Sequence, residues 1–472
     1  MSYEFQTESN ALKNSTAFRS IKKELLTVIR EASSKLKGVI AGPSSPEARE
    51  KYLKLIYDIG QERGRDLYFP FLGSGLGSGP LVELLDGSVK YDMITGIGIN
   101  FFGHTHSALI EEMVDALPCD IMQGNLEPGV EMKDLLSAIL TRVGSGCRLN
   151  HGWITCSGTM ANEIGLKIAR QKKSPATQIV AFSDCFAGRS TTMQEITDNP
   201  GYRQGQPLYG EVHYLPFFNP QLGLDASVSI TLETLNITLK RYPGKVAALM
   251  IELIQGEGGF QSAPRDFYVR VFEEAKKAGL AIWVDEIQTF GRTGELFAYQ
   301  KFQLNEWVDI VTIGKMLQAC IVLFTDEYNP KPGLVAGTFA GSTTALRGAR
   351  RIIEMLCHDG FLGPQGKIEE LSSRFATNLE KLAVGPCTGL IYQIRAIGGM
   401  IAFVPLSGSM EDVKSVLMRL FDLGVVAFYC GHGPFLIRFL PPLGAMTEDD
   451  VDQVCKRVET ALQEVANKKL LK

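Results

Sequence analysis

Long apolar runs are missing from this sequence, as are paired cysteines, an excess of basic charge and internal repeats. No stretch of about eighteen apolar residues occurs, so no membrane-spanning helix is expected. Lys and Arg total 48 against 52 Asp and Glu, a net charge of −4, whereas a dedicated nucleic-acid binder would carry a basic excess. The nine cysteines stand singly, without a CxxC pair, which argues against a disulfide frame or a zinc site and fits a reducing, cytoplasmic setting. His104 and His106 form an isolated HxH with no Cys or carboxylate partner close by in the chain, so no metal is expected. The first residues, MSYEFQTESN, have neither the apolar core of a signal peptide nor the Arg-rich character of a transit peptide.

What is present reads as an ordinary globular chain, 45% hydrophobic and 21% charged over 472 residues, long enough for about three domains. Residues 1–65 read as a helical segment broken by GPSSPE at Gly42–Glu47. Residues 66–95 contain GSGLGSG (Gly73–Gly79) and then two short apolar runs around Asp86-Gly87, a hairpin signal. The glycine spacing matches neither a dinucleotide fingerprint nor a P-loop, so this stretch is expected to be a flexible approach to the hairpin. Residues 96–341 alternate short apolar runs with amphipathic helix-length ones: WITCSG before a helix, QIVAF, VAALMIEL, LAIWV and VDIVTI. That alternation predicts an α/β fold with a mostly parallel central sheet flanked by helices. In residues 342–472 helices alternate with strands such as MIAFV and FLIRFL, as in a smaller α+β domain that the hairpin joins.

Ligands of open parallel sheets sit beyond the carboxyl ends of the strands. There the sequence places Ser157-Gly158-Thr159 ahead of a helix, Phe186 to Arg189, Asp285 to Gln288, and Gly314-Lys315. Hydroxyls and free N–H groups at a positive helix end make a phosphate cradle. With an aromatic ring, a carboxylate and one lysine, the set suits a phosphorylated pyridine aldehyde held as a Schiff base.

From about Leu67 to Leu462 the chain resembles the class-III pyridoxal-phosphate aminotransferases, the group of ornithine, acetylornithine and 4-aminobutyrate aminotransferases. The matching stretches are GIGINFFGHTH (Gly96–His106), CSGTMANE (Cys156–Glu163), FAGRS (Phe186–Ser190), IELIQGEGG (Ile251–Gly259), VDEIQTFGRTG (Val284–Gly294), DIVTIGK (Asp309–Lys315), GTFAGS (Gly337–Ser342) and IRFLPPL (Ile437–Leu443). The resemblance implies the fold type I of pyridoxal 5'-phosphate (PLP) transferases. It implies Lys315 as the Schiff-base lysine and proton carrier, and Asp285 as the partner of the pyridinium nitrogen. It places Gln288 at the ring hydroxyl, Ser157, Gly158 and Thr159 around the phosphate, and Phe186 on the ring face. Thr338 would reach the phosphate of a neighbouring subunit, so a homodimer with a shared site is implied. Arg189 and Arg438 would take substrate carboxylates, with Glu257 masking Arg438 when the donor is bound. The implied reaction moves an amino group from a small-molecule donor, such as ornithine, acetylornithine, lysine or 4-aminobutyrate, to a keto acid such as 2-oxoglutarate.

Departures from the family's pattern leave Asp285 and Lys315 untouched but surround the substrate channel. Leu253 replaces a proline, the loop Asp285–Gly294 is one residue short, Gln318-Ala319-Cys320 and Ser342-Thr343 are unusual, and Ala187 is small. An aminomutase, decarboxylase or racemase of the same fold would turn over without a keto acid. A nucleotide binder using GSGLGSG would be colourless when purified.

Overall fold

The computed structural model describes residues 6–470. They form two compact units. One comprises the described residues up to Asp120, Glu370–Tyr429 and those from Pro434 onward; the other comprises Ile121–Glu369 with Cys430–Gly433.

The second unit is built on a seven-stranded sheet of β1 (Leu149–Thr155), β2 (Gln178–Phe182), β3 (Val212–Leu215), β4 (Val246–Ile251), β5 (Ala281–Glu286), β6 (Ile310–Ile313) and β7 (Cys320–Thr325). Their spatial order is β1-β7-β6-β5-β4-β2-β3. Only β7 runs against its neighbours, pairing antiparallel with both β6 and β1. The expected α/β class with a mostly parallel sheet is therefore the observed one. Every residue of β4 and β5 is buried, the pattern of parallel strands covered by helices on both faces.

Helix α1 (Gly158–Lys173) starts where β1 ends. Ser157 caps it by accepting the Met160 N–H, and Arg170, Lys172 and Lys173 occupy its last turn, where they complement the negative end of the dipole. It crosses the sheet closely at Gly165, where a Cβ would lie 3.2 Å from the Trp283 ring. One turn earlier on the same face, that close approach brings Asn162 down onto β5 and β6. Helices α2 (Leu224–Arg241), α3 (Arg265–Lys277) and α4 (Thr343–His358) follow. Helix α3 buries Phe267, Val271, Phe272 and Ala275 as one stripe.

The first unit holds a hairpin of Leu81–Leu84 against Val89–Asp92 around the Asp86-Gly87 turn. The glycine-rich stretch is itself a strand, Gly73–Ser78, paired with Leu81–Leu84, rather than the expected flexible approach. Glycine is required there for packing: a Cβ on Gly77 would stand 2.2 Å from the His104 Cβ. A second sheet pairs Met400–Pro405 with Ile391–Ile397 on one side and Leu436–Phe439 on the other, all antiparallel. Among the described residues no helix is long and apolar enough to cross a membrane.

Candidate active site

Along the carboxyl edge of the sheet, five parallel strands in turn present Phe186 after β2, Glu252 after β4, Asp285 within β5, Lys315 after β6 and Ser157 after β1. Chain segments more than a hundred residues apart meet there because parallel strands all deliver their ends to one edge.

Asp285 is buried and fully engaged. One carboxylate oxygen accepts the Ile287 N–H at 2.8 Å and the other accepts the Asn162 side-chain amide at 2.7 Å. Asn162 also donates to the Ala187 carbonyl at 2.7 Å and accepts the Thr312 hydroxyl at 2.7 Å. With every polar group of Asn162 used, the Asp285 carboxylate has one orientation. Hydrogen bonds to a charged group contribute about 1.5–3 kcal/mol each, yet burial outweighs them here. Desolvation lifts the Asp285 carboxyl to about 6, against the lowering pull of Ile287, Asn162 and Lys315.

Glu252 lies beside it, also buried. Its two oxygens accept the Phe186 N–H at 2.8 Å and the Gly256 N–H at 3.0 Å. Desolvation, then the negative charge of Asp285, lift it to about 8, opposed by the two N–H donors and by Lys315. Two carboxyl groups whose ionised forms repel therefore share a site with one lysine. Lys315 opens a short 3₁₀ turn, Lys315–Leu317, with φ of 50°. A left-handed backbone in a non-glycine residue is strained and persists where surrounding structure imposes it.

Ser157, Gly158 and Thr159 form the first turn of α1, with its N–H groups at the sheet edge. A Cβ on Gly158 would stand 3.0 Å from Ile287, and one on Gly188 would stand 2.5 Å from the Thr159 hydroxyl oxygen. Gln288 is buried, and its Oε1 has no hydrogen-bond partner. A buried acceptor left in that state is destabilising by about 1–3 kcal/mol, so a ligand donor at that atom would be welcome. The residues present therefore fit a phosphorylated pyridine with a ring hydroxyl: a helix end for the anion, a buried carboxylate for a ring cation, an open acceptor for the hydroxyl and a lysine.

A family model described as aminotransferase class-III matches residues 74–462. The chain belongs to the class-III aminotransferases. It is a PLP-dependent aminotransferase, and bound PLP supplies the electron sink for moving an amino group. The acetylornithine aminotransferase of Bacillus subtilis is 28% identical over 397 residues, covering 81% of this chain and 93% of the relative. The diaminobutyrate–2-oxoglutarate aminotransferase of Rhizobium meliloti is 26% identical over 420 residues, covering 83% of this chain and 88% of the relative. A lysine aminotransferase from M. tuberculosis shares the fold with a TM-score of 0.78 at 22% identity, covering 87% of this chain and 99% of that one.

The remaining predicted residues fall in different places. Arg189 is exposed, with its guanidinium carbon over the Tyr202 ring, 3.5 Å from the centroid. Glu257 is half-buried, with the Tyr202 hydroxyl 3.4 Å from its carboxylate. Thr338 is exposed, on the loop before the short ribbon of Met122–Gln123 and Gly341–Ser342. Arg438 belongs to the first unit. It is fully buried in strand Leu436–Phe439, its guanidinium 5.6 Å from the Phe428 ring centroid. Among the described residues no group of three or more His, Cys, Asp or Glu side chains could hold a metal.

Sequence reasoning singled out neither Asn162, Glu252 nor Tyr202. The first two lie inside the quoted stretches CSGTMANE and IELIQGEGG, so their position was in view but not their role. Tyr202 lies outside every such stretch.

Proposed function

We propose that this aminotransferase takes its amino group from an ω-amino acid or diamine and passes it to 2-oxoglutarate. The names of the relatives, acetylornithine and diaminobutyrate–2-oxoglutarate aminotransferase, support the donor class and the acceptor. In this reading Lys315 carries the amino linkage and moves the proton between donor carbon and cofactor. Asp285, held by Asn162, keeps the ring nitrogen protonated. Ser157, Gly158 and Thr159 hold the phosphate, Phe186 covers the ring and Gln288 accepts from the ring hydroxyl. Arg189 takes a substrate carboxylate. Arg438 takes the carboxylate of the keto acid, and Glu257 neutralises Arg438 in the donor half-reaction. The observation that carries the reading is the meeting of Lys315, Asp285 and the α1 N-terminus at one sheet edge.

We further propose a homodimer in which Thr338 completes the neighbouring phosphate site. Exposed Ile121, Leu126 and Phe339 support it: they are 82%, 93% and 62% accessible and lie close to Thr338 in the chain or in the loop it packs on. Apolar groups so exposed mark a surface that another protein covers. The nine cysteines are all free thiols, which supports a cytoplasmic setting. The test is a donor screen with 2-oxoglutarate, reading glutamate formed. ω-Amino acids or diamines are expected to be consumed with one glutamate per amino group transferred, and turnover that needs no keto acid would overturn the reading in favour of an aminomutase, decarboxylase or racemase.

A further inference from the structure

Thr197 lies in none of the stretches that match the family, yet its side chain shapes one of them. It follows the short helix Thr191–Ile196, whose Met193 and Ile196 are buried. Its own N–H donates to the Met193 carbonyl at 2.9 Å, and its carbonyl accepts the Asn199 N–H at 3.0 Å, so its backbone is set locally. Its side chain is fully buried. The hydroxyl oxygen accepts the Ala187 N–H at 2.9 Å and the Gly188 N–H at 3.3 Å, and the hydroxyl donates to the Gly188 carbonyl at 3.2 Å. A hydroxyl has one proton and two lone pairs, so this one is saturated.

The turn that Thr197 grips, Phe186–Gly188, belongs to no helix or strand that could satisfy its backbone. The Phe186 N–H goes to Glu252 at 2.8 Å, the next two go to Thr197, and the Ala187 carbonyl accepts the Asn162 amide at 2.7 Å. Every N–H of the turn therefore ends on a side-chain oxygen. The turn also leans on the phosphate cradle: Gly188, at a φ of +140°, lies so close to Thr159 that a Cβ there would stand 2.5 Å from the Thr159 hydroxyl oxygen. Buried N–H groups must find an acceptor, and without the Thr197 hydroxyl this turn has no ladder to fall back on. We propose that Thr197 is a positioning residue for the cofactor: its hydroxyl fixes the Phe186–Gly188 turn before PLP arrives, and so sets the spacing between the Phe186 ring and the Thr159 end of α1. This deepens the reading of Phe186 as the ring cover and rests on it.

The test compares side chains with and without the hydroxyl. Thr197→Val keeps the volume and removes the acceptor; Thr197→Ser keeps the hydroxyl and drops the methyl. Dialysis against cofactor-free buffer reads PLP affinity, and visible circular dichroism reads how asymmetrically the bound PLP ring is held. Thr197→Val should weaken PLP binding about tenfold or more, the scale of buried N–H groups left without an acceptor, and shrink the dichroism of the fraction still loaded. Thr197→Ser should restore both. A valine variant that melts earlier but keeps wild-type PLP affinity and dichroism marks a merely structural threonine and overturns the proposal, as does a serine variant as impaired as the valine one. A second measurement needs only the wild type, and decides the matter if the valine variant does not fold: amide hydrogen exchange of Phe186–Gly188. Equal protection in the PLP-free and PLP-loaded protein supports a turn set by Thr197, whereas protection that appears only with PLP overturns it. Phe186→Leu separates the two readings. If it leaves PLP affinity and dichroism unchanged while Thr197→Val lowers them, the ring-cover reading of Phe186 fails, and Thr197 positions the cofactor through Thr159 alone.

Discussion

Glu252→Gln should invert the order of stability of variant and wild type between acid and alkaline pH. The glutamine is isosteric, but its amino group cannot accept the N–H of Phe186 or Gly256, both of which now bond to carboxylate oxygens. Leaving one buried N–H unanswered destabilises by about 1–3 kcal/mol at any pH. Against this, wild type carries an ionisable group that folding raises from 4.5 to about 8. A raised carboxyl binds its proton more tightly in the folded state, so folding stability falls as pH climbs from about 4.5 to about 8. At 1.36 kcal/mol per pH unit, the full loss above that window is roughly 5 kcal/mol. Glutamine suffers no such loss. The variant is therefore less stable than wild type near pH 5, by about 0–2 kcal/mol once the loss already begun there is subtracted, and more stable near pH 9, by about 2–4 kcal/mol, the difference of the two effects. Asp285 titrates in both proteins, and most of its own effect cancels in the comparison. The assay is urea unfolding of the PLP-free protein at pH 5, 7 and 9. A difference between variant and wild type that stays constant across those values would refute the assignment of Glu252 as a buried, repelled carboxyl.

Lys315→Ala removes the proton carrier and should lower turnover by at least ~10²–10⁴-fold in either half-reaction; near-normal rates in stopped-flow measurements would dismiss its role. Thr338→Ala should loosen PLP by about 1–2 kcal/mol, read by dialysis against cofactor-free buffer, and a fully active, PLP-loaded monomer in sedimentation would refute the shared site. Gly188→Ala puts a Cβ 2.5 Å from the Thr159 hydroxyl oxygen at a φ of +140°, so about 1–3 kcal/mol of strain should appear as weaker PLP binding; unchanged affinity would mean the Thr159 turn tolerates displacement. Arg438→Ala should slow the keto-acid half-reaction far more than the donor half-reaction, and equal losses in single-turnover kinetics would leave Arg438 a packing residue.

What the sequence determined by itself is local, or is carried by runs of residues. Strands buried on both faces read as continuous apolar runs, as VAALMI does in β4. The stripe of Phe267, Val271, Phe272 and Ala275 marks α3, and Ser157 announces the start of α1 through its side chain. Lys315 and Asp285 stand out because a lysine and an aspartate at the ends of apolar strands have little reason to be there without chemistry. The tertiary structure decided what depends on contact between distant segments. Asn162 meets Asp285 across 123 positions and Glu252 meets the Phe186 N–H across 66; no periodicity encodes either. The glycine-rich stretch reads as loose from its composition, yet it is a strand, because Gly77 lets His104 pack where any Cβ would collide. The charge state of Glu252 was equally hidden. A glutamate in a sequence is a solvated anion by default, and only burial beside Asp285 turns it into a group that gives up its proton near neutral pH. Tyr202 is the extreme case: nothing in NPGYRQG marks it, and only the fold sets its ring under Arg189 and its hydroxyl near Glu257.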